Sequence, residues 1–328
     1  MNWGNDIVIL CAVDKAFLPG AYGLFNSLLL NGFTGNFRIL KMGDFGNLQL
    51  PSHNQLAYDT VPAKKGHYIP NVLRYNYFSK LTNGKYLLFD GDIIVERPLG
   101  ILMELLDMML LISEEPESKY GNYDILYQRQ LLKTGLYSQD VTSTTIPYAN
   151  SGFMGFSLPI HQEFINNLVQ LSFQLLEGIT SYTENPDWFF IDQDMFNVVL
   201  RNANIPISVI SPRLLEISNY PNKNFYNRPF PFQKQQHLHP KDQLKYMIHG
   251  AALRRPWKNI YAHNFIGKVK SFLYNKGFIG LKNKPTPYER AWAYYTCSDN
   301  LPIPISSWAK QHEFSAYKNI LWRKVHGL

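Results

Sequence analysis

The stretch from Lys85 to Leu99 reads KYLLFDGDIIVERPL, and it holds two carboxylates, Asp90 and Asp92, directly after an apolar run. Tyr86–Phe89 has the character of a buried strand and Ile93–Val95 resumes it, so the acidic pair stands at a strand end. Ligands of open α/β sheets bind in the crevice outside those ends. Gly91 allows the tight backbone course needed for both carboxylates to face one cation. The plain alternative is a pair of solvated turn carboxylates. Asp-x-Asp alone carries little weight, since about one chance occurrence is expected in a chain this long. A second lies at Asp192-Gln193-Asp194, inside a helical pattern where side chains two apart point away from each other. Placement therefore favours Asp90 and Asp92 as joint ligands.

The elements that must hold this pair alternate in type. DIVILCAV (6–13) reads as a strand, followed by a loop at Asp14–Pro19 and a helix that Gly32 closes. NFRIL (36–40) is a second strand, and Pro70 opens a helix leading into the strand of Asp90. The run 99–113 is too short to span a bilayer, carries Glu104 and Asp107, and reads as a short helix and a buried strand. A strand at 150–158 and helices at about 159–177 and 187–203 follow. The expected class is α/β, with a largely parallel sheet flanked by helices. Segments 114–148 and 218–244 show no clear period, and the second reads as a long loop.

Composition narrows the options. The chain has 328 residues with 45% hydrophobic content, enough for a large core, and its two cysteines, Cys11 and Cys297, have no metal-ligand spacing. With no apolar leader at the start, the expectation is a cytoplasmic protein. Net charge is +7, yet from Arg254 to Leu328 Lys and Arg outnumber Asp and Glu by thirteen to three, so the rest of the chain is net negative. A basic, aromatic terminus fits an anionic membrane surface, nucleic acid or an acidic substrate. An RRM, KH or zinc-finger signature is missing, which weighs against nucleic acid. The turn after the first strand, CAVDKAFLPGAYG, has no GxGxxG spacing, and the chain has no Walker A loop, GxSxG elbow or HExxH motif.

An ordered set of motifs goes further: AVD at 12–14, Arg74, FDGD at 89–92, NSGFMGF at 150–156, DQDMFN at 192–197 and HGAALRRPW at 249–257. In this set the chain resembles the retaining glycosyltransferases of family eight, the glycogenin-like group that includes bacterial lipopolysaccharide glucosyl- and galactosyltransferases. The resemblance implies a GT-A fold, a Rossmann-like nucleotide-sugar-binding mixed sheet flanked by helices. It covers residues 1–257 as catalytic domain and leaves 258–328 as a helical, basic, aromatic extension.

Carried over residue by residue, the resemblance makes Asp90, Asp92 and His249 the ligands of Mn²⁺ or Mg²⁺, which holds the diphosphate of a UDP-sugar. An imidazole in the set favours Mn²⁺. Ala12, Val13, Asp14 and Gly91 would line the nucleotide, with a helix cap as the plain reading of Asp14. Arg74 would touch the nucleotide or diphosphate, or else be an ordinary helix-surface arginine. Asn150 and Ser151 would face the donor sugar, and Asp192 and Gln193 would lie beneath it as the catalytic pair. Arg255 would meet the diphosphate. The family usually has Gly and Lys where this chain has Ala252 and Arg255; the positive charge survives, although Arg and Lys differ in reach.

The function so implied is metal-dependent, retaining transfer of glucose or galactose from a UDP-sugar to a saccharide or glycolipid acceptor, as in lipopolysaccharide or polysaccharide synthesis. Alternatives are an inverting GT-A transferase and a catalytically inactive sugar-nucleotide-binding protein. The last turns, FSAYKNILWRKVHGL, read as a basic amphipathic helix that either docks on the cytoplasmic membrane face or packs on the catalytic domain.

Overall fold

The computed structural model describes residues 2–61, 70–114, 146–178, 191–210, 215–217, 246–250, 287–297 and 300–304. Its centre is a seven-stranded sheet in the order β3-β2-β1-β4-β7-β6-β8. The strands are β1 (Ile7–Val13), β2 (Asn36–Met42), β3 (Leu56–Val61), β4 (Gly84–Asp90), β6 (Leu110–Glu114), β7 (Ala149–Leu158) and β8 (Ile207–Ile210). β7 alone runs against its neighbours; the other pairings are parallel. Mostly parallel strands covered on both faces need apolar residues in nearly every position, which is why FDGD follows an unbroken run.

Alternation along β1 divides the core. Ile7, Ile9, Cys11 and Val13 join the cluster beneath α1 (Leu18–Leu30), while Leu10 joins the opposite cluster. On that opposite face lie α2 (Pro70–Asn76), α4 (Gln162–Gly178) and α5 (Ile191–Asn202), with α3 (Gly100–Met103) a single turn on the first face. α1 begins with Pro19 in its first turn and ends at Gly32, whose φ of 84° lets Phe33 N–H return to Leu28 O.

A second sheet of three short strands carries the remaining geometry. β5 (Ile93–Val95) pairs antiparallel with β10 (Met247–His249), which pairs parallel with β9 (Leu215–Ile217). Over this sheet lies α6 (Pro287–Cys297), where Tyr288, Ala291, Trp292 and Tyr295 pack with Ile94 and Ile248. Asn26 of α1 donates to Tyr295 O and Ile303 O and accepts from Ile303 N–H. Residues 287–297 and 300–304, within the stretch assigned to a C-terminal extension, thus meet α1. Among the described residues no helix is long and apolar enough to cross a membrane.

Glu96, just past β5, is buried, and among the described residues both its carboxylate oxygens lack a hydrogen-bond partner. Burial pushes its pKa from the ordinary 4.5 up to about 8, against a smaller pull from Arg97. The unfolded chain releases this proton near 4.5, whereas the folded protein keeps it to about 8. Stability is therefore expected to fall as pH rises between those values, by up to about 1.4 kcal/mol per unit, and to level off above them. Glu96→Gln should flatten that slope in urea unfolding at pH 5.5, 7 and 8.5; parallel curves for variant and wild type would show that the buried carboxyl is not the cause.

Candidate metal centre

β4 ends on Asp90, in register with Ala12 near the end of β1, and Asp92 opens the turn into β5. β2 lies on one side of β1 and β4 on the other, so Asp90 stands at the point where the strand order reverses. Pairing of His249 with Ile93 brings β10 beside Asp92, whose carbonyl accepts Gly250 N–H at 2.6 Å. His249 Nε2 lies 3.3 Å from Asp92 Oδ1 and 3.7 Å from Asp90 Oδ2. One ligand atom from each of the three residues falls within 4.8 Å of the others. A single cation bonded at about 2.0 to 2.6 Å can bridge that span.

The electrostatics agree with such an ion. Burial draws the His249 imidazole toward neutrality, but hydrogen bonds and charge from Asp90 and Asp92 outweigh it and raise its pKa to about 10. Two carboxylates thus already demand a positive charge beside them. Among the described residues His249 Nδ1 is buried without a hydrogen-bond partner, and Nε2 is the nitrogen turned to the acids. The set therefore fits a divalent ion, as two hard oxygen ligands and an imidazole.

Around it the site is closely packed. A Cβ on Gly91 would lie 2.6 Å from Val13 Cγ1, so only glycine lets this turn approach β1. At Gly152 a Cβ would stand 2.5 Å from His249 Cε1, 2.8 Å from Asn150 Oδ1 and 2.9 Å from Asp90 Oδ2. Gly152→Ala is expected to displace His249 and Asp90 and weaken Mn²⁺ binding at least tenfold, with a smaller effect on melting temperature. Calorimetric titration checks this, and unchanged affinity would mean that the three side chains do not hold the ion together.

Arg74 of α2 occupies the centre. It is 3% exposed; Nη1 pairs with Asp90 Oδ1, and Nη2 donates to Tyr75 Oη at 3.1 Å, Ser151 O at 2.9 Å and Asp192 Oδ2 at 3.0 Å. A helix-surface position is thus excluded, and both Nη atoms are engaged by protein groups. Asp90, with 30% of its side chain exposed, is held below the usual carboxylate range: Arg74 and His249 overcome the opposing effect of burial. Asp192 is raised, because burial and the Asp90 charge outweigh Arg74 and Ser151.

The remaining sequence candidates fall into two sets. Ser151 Oγ donates to Asp192 Oδ2 at 2.9 Å and Ser151 N–H to Gln193 Oε1 at 3.3 Å, while Asn150 Oδ1 accepts Gly152 N–H at 2.8 Å. Asp192, Gln193, Asn150 and Ser151 are all buried beside the acidic pair. Asp14 caps a 3₁₀ turn, accepting Phe17 N–H at 3.0 Å, which is its plain reading. Arg255 and Ala252 lie outside the described residues, as do the segments 218–244 and 310–328 and most of 114–148. Gly152 and Tyr148 belong to the site as well, although the sequence reading gave neither a role.

No family model matches the chain, and no curated protein matches it. The weight therefore falls on the geometry of Asp90, Asp92 and His249 and on the arginine that ties them to Asp192.

Proposed function

We propose that this chain is a metal-dependent retaining glycosyltransferase of the family-eight type with a GT-A fold, using a UDP-hexose donor, glucose or galactose, and a saccharide or glycolipid acceptor. The observation that carries the reading is the continuity from the Asp90–Asp92–His249 group through Arg74 to Asp192. One end suits a diphosphate with its counter-ion and the other a sugar. Mn²⁺ held by Asp90, Asp92 and His249 would supply positive charge against the leaving diphosphate.

The protein's own groups do the rest. Arg74 fixes Asp90 and Asp192 relative to each other and lowers the repulsion between them. Asp192, aimed by Arg74 and Ser151, stabilises the positive charge that develops on the anomeric carbon as the bond to UDP breaks. Gln193 and Asn150 offer amides to sugar hydroxyls. Burial of these groups strengthens each interaction by excluding water.

Asp192→Asn is expected to lower donor turnover by about a hundredfold or more while changing UDP affinity less than threefold, because its interaction forms in the transition state. Equal losses in both would make Asp192 a nucleotide contact. The reaction itself is tested with UDP-glucose and UDP-galactose plus Mn²⁺, following the hydrolysed hexose by proton NMR before mutarotation. The α-anomer is expected; the β-anomer would mean inversion, and no hydrolysis of any UDP-sugar would remove the transferase reading.

A further inference from the structure

Asp194 and Tyr148 lie one step beyond the proposed catalytic pair, and neither has a role in the account above. Tyr148, just ahead of β7, donates its hydroxyl proton to Asp194 Oδ1 at 2.5 Å. Asp194 is buried, and the same tyrosine hydroxyl is hydrogen-bonded to the Gln193 side chain. A phenol has one proton to give. With that proton on Asp194, the hydroxyl can only accept from Gln193, which requires the NH₂ end of the amide to face it. The other end agrees, since Gln193 Oε1 accepts Ser151 N–H at 3.3 Å.

From this chain of donors we propose that the Tyr148–Asp194 pair is a positioning element that fixes the orientation of the Gln193 amide. The proposal rests on the reading of Gln193 as a donor-facing residue for its consequence in catalysis, and on the hydrogen bonds alone for the orientation. The surrounding frame is rigid: Asn197 of α5 accepts Ala149 N–H at 2.7 Å and donates to Ala149 O and Gln193 O at 2.8 Å each. Helix and strand therefore stay joined when the tyrosine hydroxyl is removed.

The arrangement also responds to protons. Burial raises the Asp194 carboxyl to about 7, with the Tyr148 hydrogen bond lowering it and the Asp192 charge adding to the rise. Among the described residues, the groups bearing on Asp194 are Tyr148 before β7 and Asp192 on its own helix, with Arg74 of α2 beyond Asp192. A protonated Asp194 can donate back to Tyr148, which frees the phenol proton and removes the reason for the amide to keep one face forward. The Gln193 amide should then sense the titration of the neighbouring Asp194 carboxyl through the Tyr148 hydroxyl that links the two side chains.

The test is the side-chain amide resonance of Gln193 in the ¹⁵N-labelled full chain, identified by its loss in Gln193→Ala and followed from pH 5.5 to 8.5. The expected result is a titration with midpoint near 7 that disappears in both Tyr148→Phe and Asp194→Asn. A Gln193 signal that does not titrate in wild type, or titrates unchanged in Tyr148→Phe, overturns the relay. Asp194→Asn keeps size and shape, so it decides the matter if Tyr148→Phe does not fold. In the donor assay both variants should lose about tenfold to a hundredfold in kcat with Mn²⁺ and UDP affinity unchanged. Loss of affinity and melting temperature without that kcat effect would mark the pair as structural only. Absence of wild-type turnover would defeat the transferase reading, and the amide titration would still decide the relay.

Discussion

Arg74→Met is expected to cost on the order of 3 to 5 kcal/mol of unfolding free energy, the usual loss when one partner of a buried ionic group is removed. The methionine fills much of the space but leaves Asp192 without its only cationic partner among the described residues. It also leaves Asp90 facing Asp192 with no charge between them, and the Ser151 carbonyl without that donor. In wild type the depressed pKa of Asp90 contributes stability above the ordinary aspartate value, and that contribution is lost as pH falls through the folded value. The variant keeps only the part that His249 supplies. Wild type and variant should therefore differ most at neutral pH and begin to converge only below about 4, as pH falls toward the folded Asp90 value. Arg74→Lys should fall between them, since one ammonium cannot span both carboxylates and a carbonyl as a planar fork does. Urea unfolding measures all three, and a loss below about 1 kcal/mol for Arg74→Met at pH 7 would show that the bridge is not a structural element.

Asp92→Asn is expected to weaken Mn²⁺ binding at least a hundredfold and abolish the proposed transfer while leaving the fold intact. The amide keeps the volume of a buried side chain, and the backbone bond from Gly250 to the residue 92 carbonyl is untouched. What goes is one of the two negative charges on which the ion depends. The same charge holds the His249 proton, so in the variant that pKa should drop from about 10. In wild type that proton must leave before the imidazole can bind a metal. Mn²⁺ affinity should accordingly rise about tenfold per pH unit from 6 to 9. Electron paramagnetic resonance of free Mn²⁺ reads both effects. A folded Asp92→Asn protein with wild-type affinity, or affinity independent of pH, would take His249 and Asp92 out of the ligand set.

The parts of this fold that were legible in the sequence are those with strong local signals. Unbroken apolar runs marked β1 and β4, Gly32 marked the end of α1, and the short helix and buried strand of 99–113 stand as α3 and β6. β3 was missed because LAYDTV is a half-exposed strand with Asp59 in its middle, turned to Arg38 and Tyr77. β9 and β10 are three residues each, too short to show a period, and only their pairing beside β5 makes them strands. α6 is a different case. Its buried residues 288, 291, 292 and 295 recur at helical spacing behind Pro287, a short stripe set within a strongly basic segment.

The site divides along the same line. Asp90 and Asp92 were visible as a strand-end pair, and the two carboxylates of 192 and 194 do take separate partners, Arg74 with Ser151 and Tyr148. Nothing local distinguishes His249 from the other eight histidines, and it was singled out by resemblance; the pairing of β10 with β5 then brings it to Asp92. Arg74 is the clearest difference. Of the two sequence readings, a ligand contact or a surface residue, the folded chain excludes the second, and it adds a role neither gave: a buried bridge between two acids that are 102 positions apart. That role depends on where α2 and α5 pack and cannot be read from residues near Arg74.

The most direct measurement of the central claim, that Asp90, Asp92 and His249 hold a metal for a nucleotide diphosphate, is calorimetric titration of Mn²⁺ with and without saturating UDP. If ion and diphosphate share one site, UDP must tighten Mn²⁺ binding and Mn²⁺ must tighten UDP binding by the same factor, expected to be tenfold or more. The coupling should vanish in His249→Ala. Mn²⁺ affinity that is the same with and without UDP, or coupling that survives in His249→Ala, would contradict the account.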